Sequence, residues 1–122
     1  MLITTDTFRL ILNCSSGLGT IGEIRQRVDE IFRILEYGCI LITDSISVSD
    51  QLWGRGNQIV NNTFQGAMQG LPDLIEHCSA KEELTGLFSG FQHVTVENTD
   101  HFYFDKSGHK LTIKALDVEA TK

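Results

Sequence analysis

The sequence predicts an α+β fold, with a single mixed or antiparallel sheet on which one long helix and two or three shorter helices pack. Three observations support this class. The first third has a strand–helix–strand pattern, the middle has two short amphipathic segments, and the last third alternates apolar and polar residues. The chain has 122 residues, of which 41% are hydrophobic and 21% charged. These values are typical of one globular domain, so we expect a single α+β domain over residues 1–122.

The first third predicts a strand over residues 7–12, a helix over 20–37 and a second strand over 39–43. Thr20 and Glu23 have the spacing of a capping box at the start of the helix, and Gly38 is expected to end it. The apolar stripe of the helix consists of Ile24, Val28, Ile31 and Leu35. We expect this stripe to pack on Leu10, on Leu41 and on a face that carries Phe102 and Phe104. The continuous apolar run 39–42 indicates a strand buried on both faces and parallel to the first.

The middle of the chain gives weaker signals. Residues 57–69 could form a helix, although the glycines nearby disfavour one. Pro72 suits the first turn of a short helix carrying Leu74, Ile75 and Cys78. Ser79 and Glu82 resemble a second capping box, which predicts another short helix that ends near Gly90. Its apolar side would consist of Leu84, Leu87 and Phe88.

The last third predicts three antiparallel strands over residues 91–97, 101–105 and 110–118. Keeping one face apolar places Phe104 opposite Leu111 and Asp105 opposite Lys110. The polar face then collects His93, Glu97, His101 and Asp105, among others. Histidines on a hairpin can bind zinc, but these residues lack the close ligand spacing of a zinc site. A solvated face and no metal are therefore expected.

Composition excludes some classes of function. The formal net charge is −6, which disfavours nucleic-acid binding and favours a basic or neutral partner. No apolar run is long enough to span a membrane, and no secretion signal is visible at Met1. Cys14, Cys39 and Cys78 are odd in number and widely spaced, which indicates reduced thiols and a cytoplasmic location.

The segment Gly17–Gly22 fits the pattern G-x-G-x-x-G between a strand and a helix, and Asp44 follows at a suitable distance for a ribose-binding acid. With Ser15 and Ser16 it resembles the phosphate turn of short-chain dehydrogenases. Neither Tyr37 nor Tyr103 has a lysine four residues later, however, as that resemblance would require. The alternative interpretation is a loop that leads into a capped helix, without a cofactor.

No catalytic constellation is evident in the sequence. His77 and Cys78 are adjacent, and neighbours in a helix do not face each other, so Cys78 is interpreted as a core residue. Cys14 precedes a helix N-terminus, which can lower the pKa of a thiol, but no histidine can be assigned to it. We therefore expect no enzyme activity.

These observations favour a small acidic protein that acts by stoichiometric protein–protein binding, such as an inhibitor, an antitoxin or an immunity protein against a toxin enzyme. The alternatives are a nucleotide- or dinucleotide-binding module that uses the Gly17–Gly22 turn and a structural or assembly subunit. Tryptophan, arginine and tyrosine are typical interface residues, and carboxylates would attract a basic partner. The candidate partner-binding residues are Trp53, Arg55, Asp73, Glu76, Glu82, Glu83 and Tyr103.

Overall fold

The computed structural model describes residues 8–13, 17–50, 53–68 and 70–122, with the side chains of Asn13 and Tyr103 excepted. The strands are β1 (Phe8–Asn13), β2 (Leu35–Ile46), β3 (Asn57–Val60), β4 (Thr63–Gln65), β5 (Ile75–His77), β6 (His93–Phe104) and β7 (Lys110–Thr121), and the helices are α1 (Ile21–Ile34) and α2 (Lys81–Leu87). Among the described residues, no helix is both long enough and apolar enough to cross a membrane.

The described strands form two sheets. The larger sheet has the order β1-β2-β7-β6, in which β1 and β2 are parallel and the other pairs antiparallel. The smaller sheet, β3-β4-β5, is antiparallel. The predicted single sheet with one long helix and several shorter ones is therefore wrong, because three strands of the middle third form a second sheet and the two described helices are short.

Helix α1 confirms the predicted cap. Thr20 and Glu23 form the reciprocal capping box, and Ile24, Val28 and Ile31 are buried along one side. The helix ends at Ile34 rather than near Gly38, because Leu35 already has extended backbone angles and begins β2. Gly38 does adopt the left-handed conformation. It lies in a bulge of β2, where the segment between Leu35 and Ile40 is longer than the facing segment of β1.

The main core lies between the two helices and one face of the larger sheet. The stripe of α1 packs with Leu41 as predicted, and the remaining buried members are Leu84, Phe88, Phe91, Val96, Leu116, Val118 and Ala120. The predicted contacts with Leu10, Phe102 and Phe104 are wrong. Leu10 lies on the opposite face of the sheet, and both phenylalanines are more than half exposed near the far end of the hairpin.

The middle third departs most from the sequence-based prediction. The segment predicted as a weak helix forms the β3–β4 hairpin, with Asn62 in the left-handed conformation at its turn. Pro72 lies in a turn before β5, and no helix begins there. Helix α2 is capped at Ala80 without a side-chain bond, because the hydroxyl of Ser79 instead pairs with that of Ser45.

The terminal hairpin is one residue out of the predicted register. Strand β6 runs without interruption from His93 to Phe104, and Phe104 faces Lys110 rather than Leu111. The turn sets this register, because the Asp105 carboxylate accepts hydrogen bonds from the backbone N–H groups of Ser107 and His109. Leu111 and Ile113 therefore share a face with His101 rather than with Phe102.

Candidate functional site

The face of the larger sheet that points away from the helices, here called the open face, carries both apolar and acidic residues. Residues that pair in register share a face, which places Leu10 and Leu12 beside Ile40 and Ile42, and Asp44 opposite Asp117. Glu119, Thr95 and Glu97 complete this surface. Leu12 is 67% exposed and Ile42 is 41% exposed. The prediction that residues 39–42 are buried on both faces is therefore wrong.

A crevice of about 480 Å³ crosses the open face. Its described lining residues are Leu12, Ile42, Thr43, Asp44, Thr95, Glu97, His101, Asp117, Val118 and Glu119. Four of these carry carboxyl groups and none is lysine or arginine. The crevice is therefore acidic along one part and aliphatic along another, which is a suitable combination for a small cationic molecule with an apolar body.

Three side chains from three strands meet at one end of the crevice, and we refer to them as the acid–histidine cluster: Asp44 of β2, His101 of β6 and Asp117 of β7. Their potential ligand atoms all lie within 4.8 Å of one another. The Nε2 atom of His101 is 2.9 Å from Oδ1 of Asp117. Both side chains are 46% exposed, so the cluster is accessible from the crevice.

A second cavity of about 100 Å³ adjoins the crevice and shares Asp44 and His101 with it. Glu76 lines this cavity and is only 4% exposed. No hydrogen bond joins its carboxyl group to any residue that the structure describes. Burial raises the pKa of Glu76 to about 7, and the nearby Asp44 carboxylate adds to this shift. A carboxylate that is buried without a counter-charge is costly, which is why Glu76 retains its proton to a higher pH than an exposed glutamate does.

The loop after β1 positions Glu76. The backbone N–H of Gly19 donates to the carbonyl of Ile75, and the N–H of His77 donates to the carbonyl of Gly17. A Cβ atom at Gly17 would lie 2.7 Å from the His77 carbonyl oxygen. The glycine at position 17 is thus required by close packing against β5. The N–H groups of Gly19 and Thr20 already donate to the Ile75 carbonyl and the Glu23 carboxylate, so neither is available to a pyrophosphate.

His77 and Cys78 have structural roles. The His77 ring lies 2.7 Å from the Thr63 hydroxyl through Nδ1 and 2.5 Å from the Glu83 carboxylate through Nε2. Both ring nitrogens are therefore occupied, and Thr63 is fully buried. Cys78 is buried as predicted, and burial raises the pKa of its thiol to about 12, with smaller effects of Glu76 and Asp50. A thiol protonated at neutral pH is a poor nucleophile. Cys14 lies outside the described residues.

The residues predicted to bind a partner do not gather into one surface. Trp53 is half exposed, and its indole N–H donates to Asn62 while its ring contacts the edge of Phe64. Glu76 is buried and Glu83 pairs with His77. Arg55, Asp73 and Glu82 are exposed, and Tyr103 belongs to β6. Whether any of them contacts another protein stays a prediction.

No protein-family model matches the sequence, and no curated protein matches it. Solved structures do share its fold. A SAM-dependent methyltransferase from Methanosarcina mazei matches over 99% of this chain and 62% of its own, at 14% identity and a TM-score of 0.65. A SAM-dependent methyltransferase from Thermotoga maritima, titled as a possible histamine N-methyltransferase, matches over 100% and 59%, at 17% identity and a TM-score of 0.62. TehB from Haemophilus influenzae matches over 96% and 36%, at 12% identity and a TM-score of 0.55.

The fold is thus one found in SAM-dependent methyltransferases, and the chain spans about 60% of the length of the first two of these structures. This finding overturns the predicted inhibitor, antitoxin or immunity protein, for which the chain has no structural counterpart among these neighbours. It also contradicts the expectation of a non-enzyme, because the two neighbours with the higher TM-scores given above are methyltransferases. The assignment of a neutralising protein rested on acidity and size, which many folds share.

S-adenosylmethionine is the cofactor that such a fold implies, and the described residues do not fit all of it. The carboxylates of the crevice suit its sulfonium and its ribose hydroxyls. The carboxylate of S-adenosylmethionine would have no lysine or arginine as an ion-pair partner among the described lining residues. The backbone N–H of Gly19 also donates to the Ile75 carbonyl, so it is not available to the cofactor. The described chain therefore does not provide a complete site for this cofactor.

Sequence reasoning missed the acid–histidine cluster. It grouped His101 with His93, Glu97 and Asp105, and considered Asp44 only as a partner of the glycine turn. Asp44 carried the best available signal, since it follows directly after the predicted strand 39–43, and α/β sheets bind ligands at the carboxyl ends of parallel strands.

Proposed function

We propose that this chain forms the substrate side of a methyltransferase-type enzyme and binds a small organic amine in the crevice of the open face. The single observation that carries the proposal is the crevice itself, lined by Asp44, Glu97, Asp117 and Glu119 with no lysine or arginine among its described residues. Charge-assisted hydrogen bonds from an ammonium group to carboxylates are the strong ones in proteins.

The position of the crevice supports the same proposal. Ligands of α/β sheets bind beyond the carboxyl ends of parallel strands, and the crevice includes Leu12 near the end of β1 and Asp44 near the end of β2. Its volume of about 480 Å³ lies in the range of small-molecule sites. The aliphatic side chains of Leu12 and Ile42 supply an apolar wall for the carbon skeleton of the amine.

The free thiols of Cys39 and Cys78 support a cytoplasmic location as part of this proposal. The activity of a whole enzyme also belongs to the proposal, since this chain spans 62% and 59% of the two methyltransferases above.

Calorimetric titration with histamine, in buffer containing EDTA, tests the proposal. We expect saturable binding that weakens about tenfold or more in Glu119→Gln and in Glu97→Gln, since a hydrogen bond to a charged group contributes about 1.5–3 kcal/mol. The matched control is Asp73→Asn, which removes an exposed carboxylate outside the crevice. Imidazole-4-acetate, in which a carboxylate replaces the amine, should not bind. Absence of amine binding, or equal binding by all variants, would overturn the proposal.

A further inference from the structure

We infer that Asp44, His101 and Asp117 form a binding site for a divalent transition-metal ion, at the end of the crevice that adjoins the Glu76 cavity. The three side chains supply two carboxylates and one imidazole. Carboxylates suit Mn²⁺ and imidazole suits Zn²⁺, so these two ions are the appropriate class. The inference concerns the same crevice as the proposed amine site but does not depend on amine binding.

The three side chains of the cluster are near enough to one another to close around one ion after they move. Nitrogen and oxygen ligands lie about 2.0–2.2 Å from Zn²⁺, which places neighbouring ligand atoms roughly 3–3.5 Å apart. His101 Nε2 and Asp117 Oδ1 are 2.9 Å apart, and all three potential ligand atoms lie within 4.8 Å. Small rotations of half-exposed side chains would therefore bring all three onto one ion. Three protein ligands leave a coordination position open to water or substrate.

Glu76 provides an independent observation. The residue is only 4% exposed, lines the cavity that Asp44 and His101 also line, and has no hydrogen-bond partner among the described residues. Native proteins rarely leave such a group without compensation. A divalent ion held by the cluster would supply positive charge beside Glu76, which the described lining residues of the two cavities otherwise lack apart from His101.

A metal ion and an amine can share the site. The two cavities together present five carboxyl groups: Asp44, Glu76, Glu97, Asp117 and Glu119. The four carboxylates of the crevice alone, without Glu76, exceed the positive charge of one divalent ion and one ammonium group. The ion would lie at the Asp44 end, and Glu97 and Glu119 would remain for the amine.

Electron paramagnetic resonance of Mn²⁺ with the full 122-residue chain, in metal-free buffer without an amine, tests the inference. We expect one bound equivalent, displaced by Zn²⁺. Binding should weaken about tenfold or more in Asp117→Asn and His101→Ala. The matched control is His109→Ala, which removes a histidine beside Asp105 in an exposed pair at the hairpin turn. Its Mn²⁺ affinity should stay within twofold of the unaltered chain.

A second measurement needs no variant. Substoichiometric Mn²⁺ should broaden the amide NMR signals of Asp44, His101 and Asp117 and leave those of the 105–109 turn sharp. The inference is overturned if no saturable Mn²⁺ or Zn²⁺ binding occurs, if binding survives both substitutions at full strength, or if the broadening centres elsewhere. The metal titrations contain no amine, so absence of metal binding would not contradict the proposed amine site. The amine titration contains EDTA, so absence of amine binding would not contradict the metal site.

Discussion

His101 and Asp117 are joined by a 2.9 Å contact although they do not face each other in the hairpin. In register, His101 faces Ile113 and Asp117 faces Glu97. The imidazole thus reaches along β7 from the position of Ile113 to that of Asp117, and Asp117 in turn faces Asp44 of β2. The contact between His101 and Asp117 therefore links β6 of the terminal hairpin to β2, which pairs in parallel with β1.

The first prediction concerns the core. Leu35 is fully buried at the start of β2, whereas Leu12 is 67% exposed on the open face. Leu35→Ala should lower the free energy of unfolding by about 2–5 kcal/mol, since buried leucine truncations leave a cavity. Leu12→Ala should change it by less than about 0.5 kcal/mol. Urea denaturation of both variants measures the difference, and similar losses would show that the open face is covered.

The second prediction compares two buried threonines. Thr43 Oγ1 has no hydrogen-bond partner among the described residues. Thr63 Oγ1 donates to the carbonyl of Asn61 and contacts Nδ1 of His77. Thr43→Val should raise the free energy of unfolding by about 1 kcal/mol, because an unsatisfied hydroxyl is removed, and Thr63→Val should lower it by about 1–3 kcal/mol. Thermal and urea unfolding give both values, and a destabilised Thr43→Val would reveal an unseen partner.

The third prediction concerns the glycine turn. In Gly17→Ala the new Cβ atom would meet the His77 carbonyl at 2.7 Å, which should destabilise the protein by about 1–3 kcal/mol. The control is Gly86→Ala in α2, where no atom lies within 4 Å of the new Cβ. That variant should be more stable by about 0.5–1 kcal/mol. An unchanged melting temperature for Gly17→Ala would contradict the close packing of the turn on β5.

The fourth prediction is a pH dependence. The pKa of Glu76 is about 7 in the folded protein, against 4.5 for the free side chain. Between these pH values the unfolded chain releases the Glu76 proton, whereas the folded chain retains it. The contribution of Glu76 to the free energy of unfolding is therefore fully present below pH 4.5 and is lost as pH rises through 7. The loss is at most about 3 kcal/mol, and less to the extent that water enters the cavity.

Urea unfolding between pH 5 and 8, with EDTA present, measures this effect. Glu76→Gln should flatten the profile relative to the unaltered chain, and Glu82→Gln, which changes an exposed carboxylate on α2, should not. Parallel profiles for Glu76→Gln and the unaltered chain would show that Glu76 ionises normally in the folded state.

Local signals predicted several elements of the fold. The Thr20–Glu23 capping box, the buried stripe of α1 and the parallel β1–β2 pair are all present. The 57–69 segment was predicted incorrectly because its spacing of apolar residues fits a helix and its glycines fit turns. Pairing between β4 and β5 resolved this conflict, since tertiary contacts override weak propensity.

The sequence by itself determined the start and the buried side of α1, since capping and helical periodicity depend on neighbours along the chain. Only the tertiary structure decided which sheet face is covered, because alternation shows that two faces differ and not which one meets a helix. It also decided the hairpin register, which the Asp105 turn sets. The acid–histidine cluster depends on both, since Asp44, His101 and Asp117 are far apart along the chain and meet only when β2, β7 and β6 lie side by side.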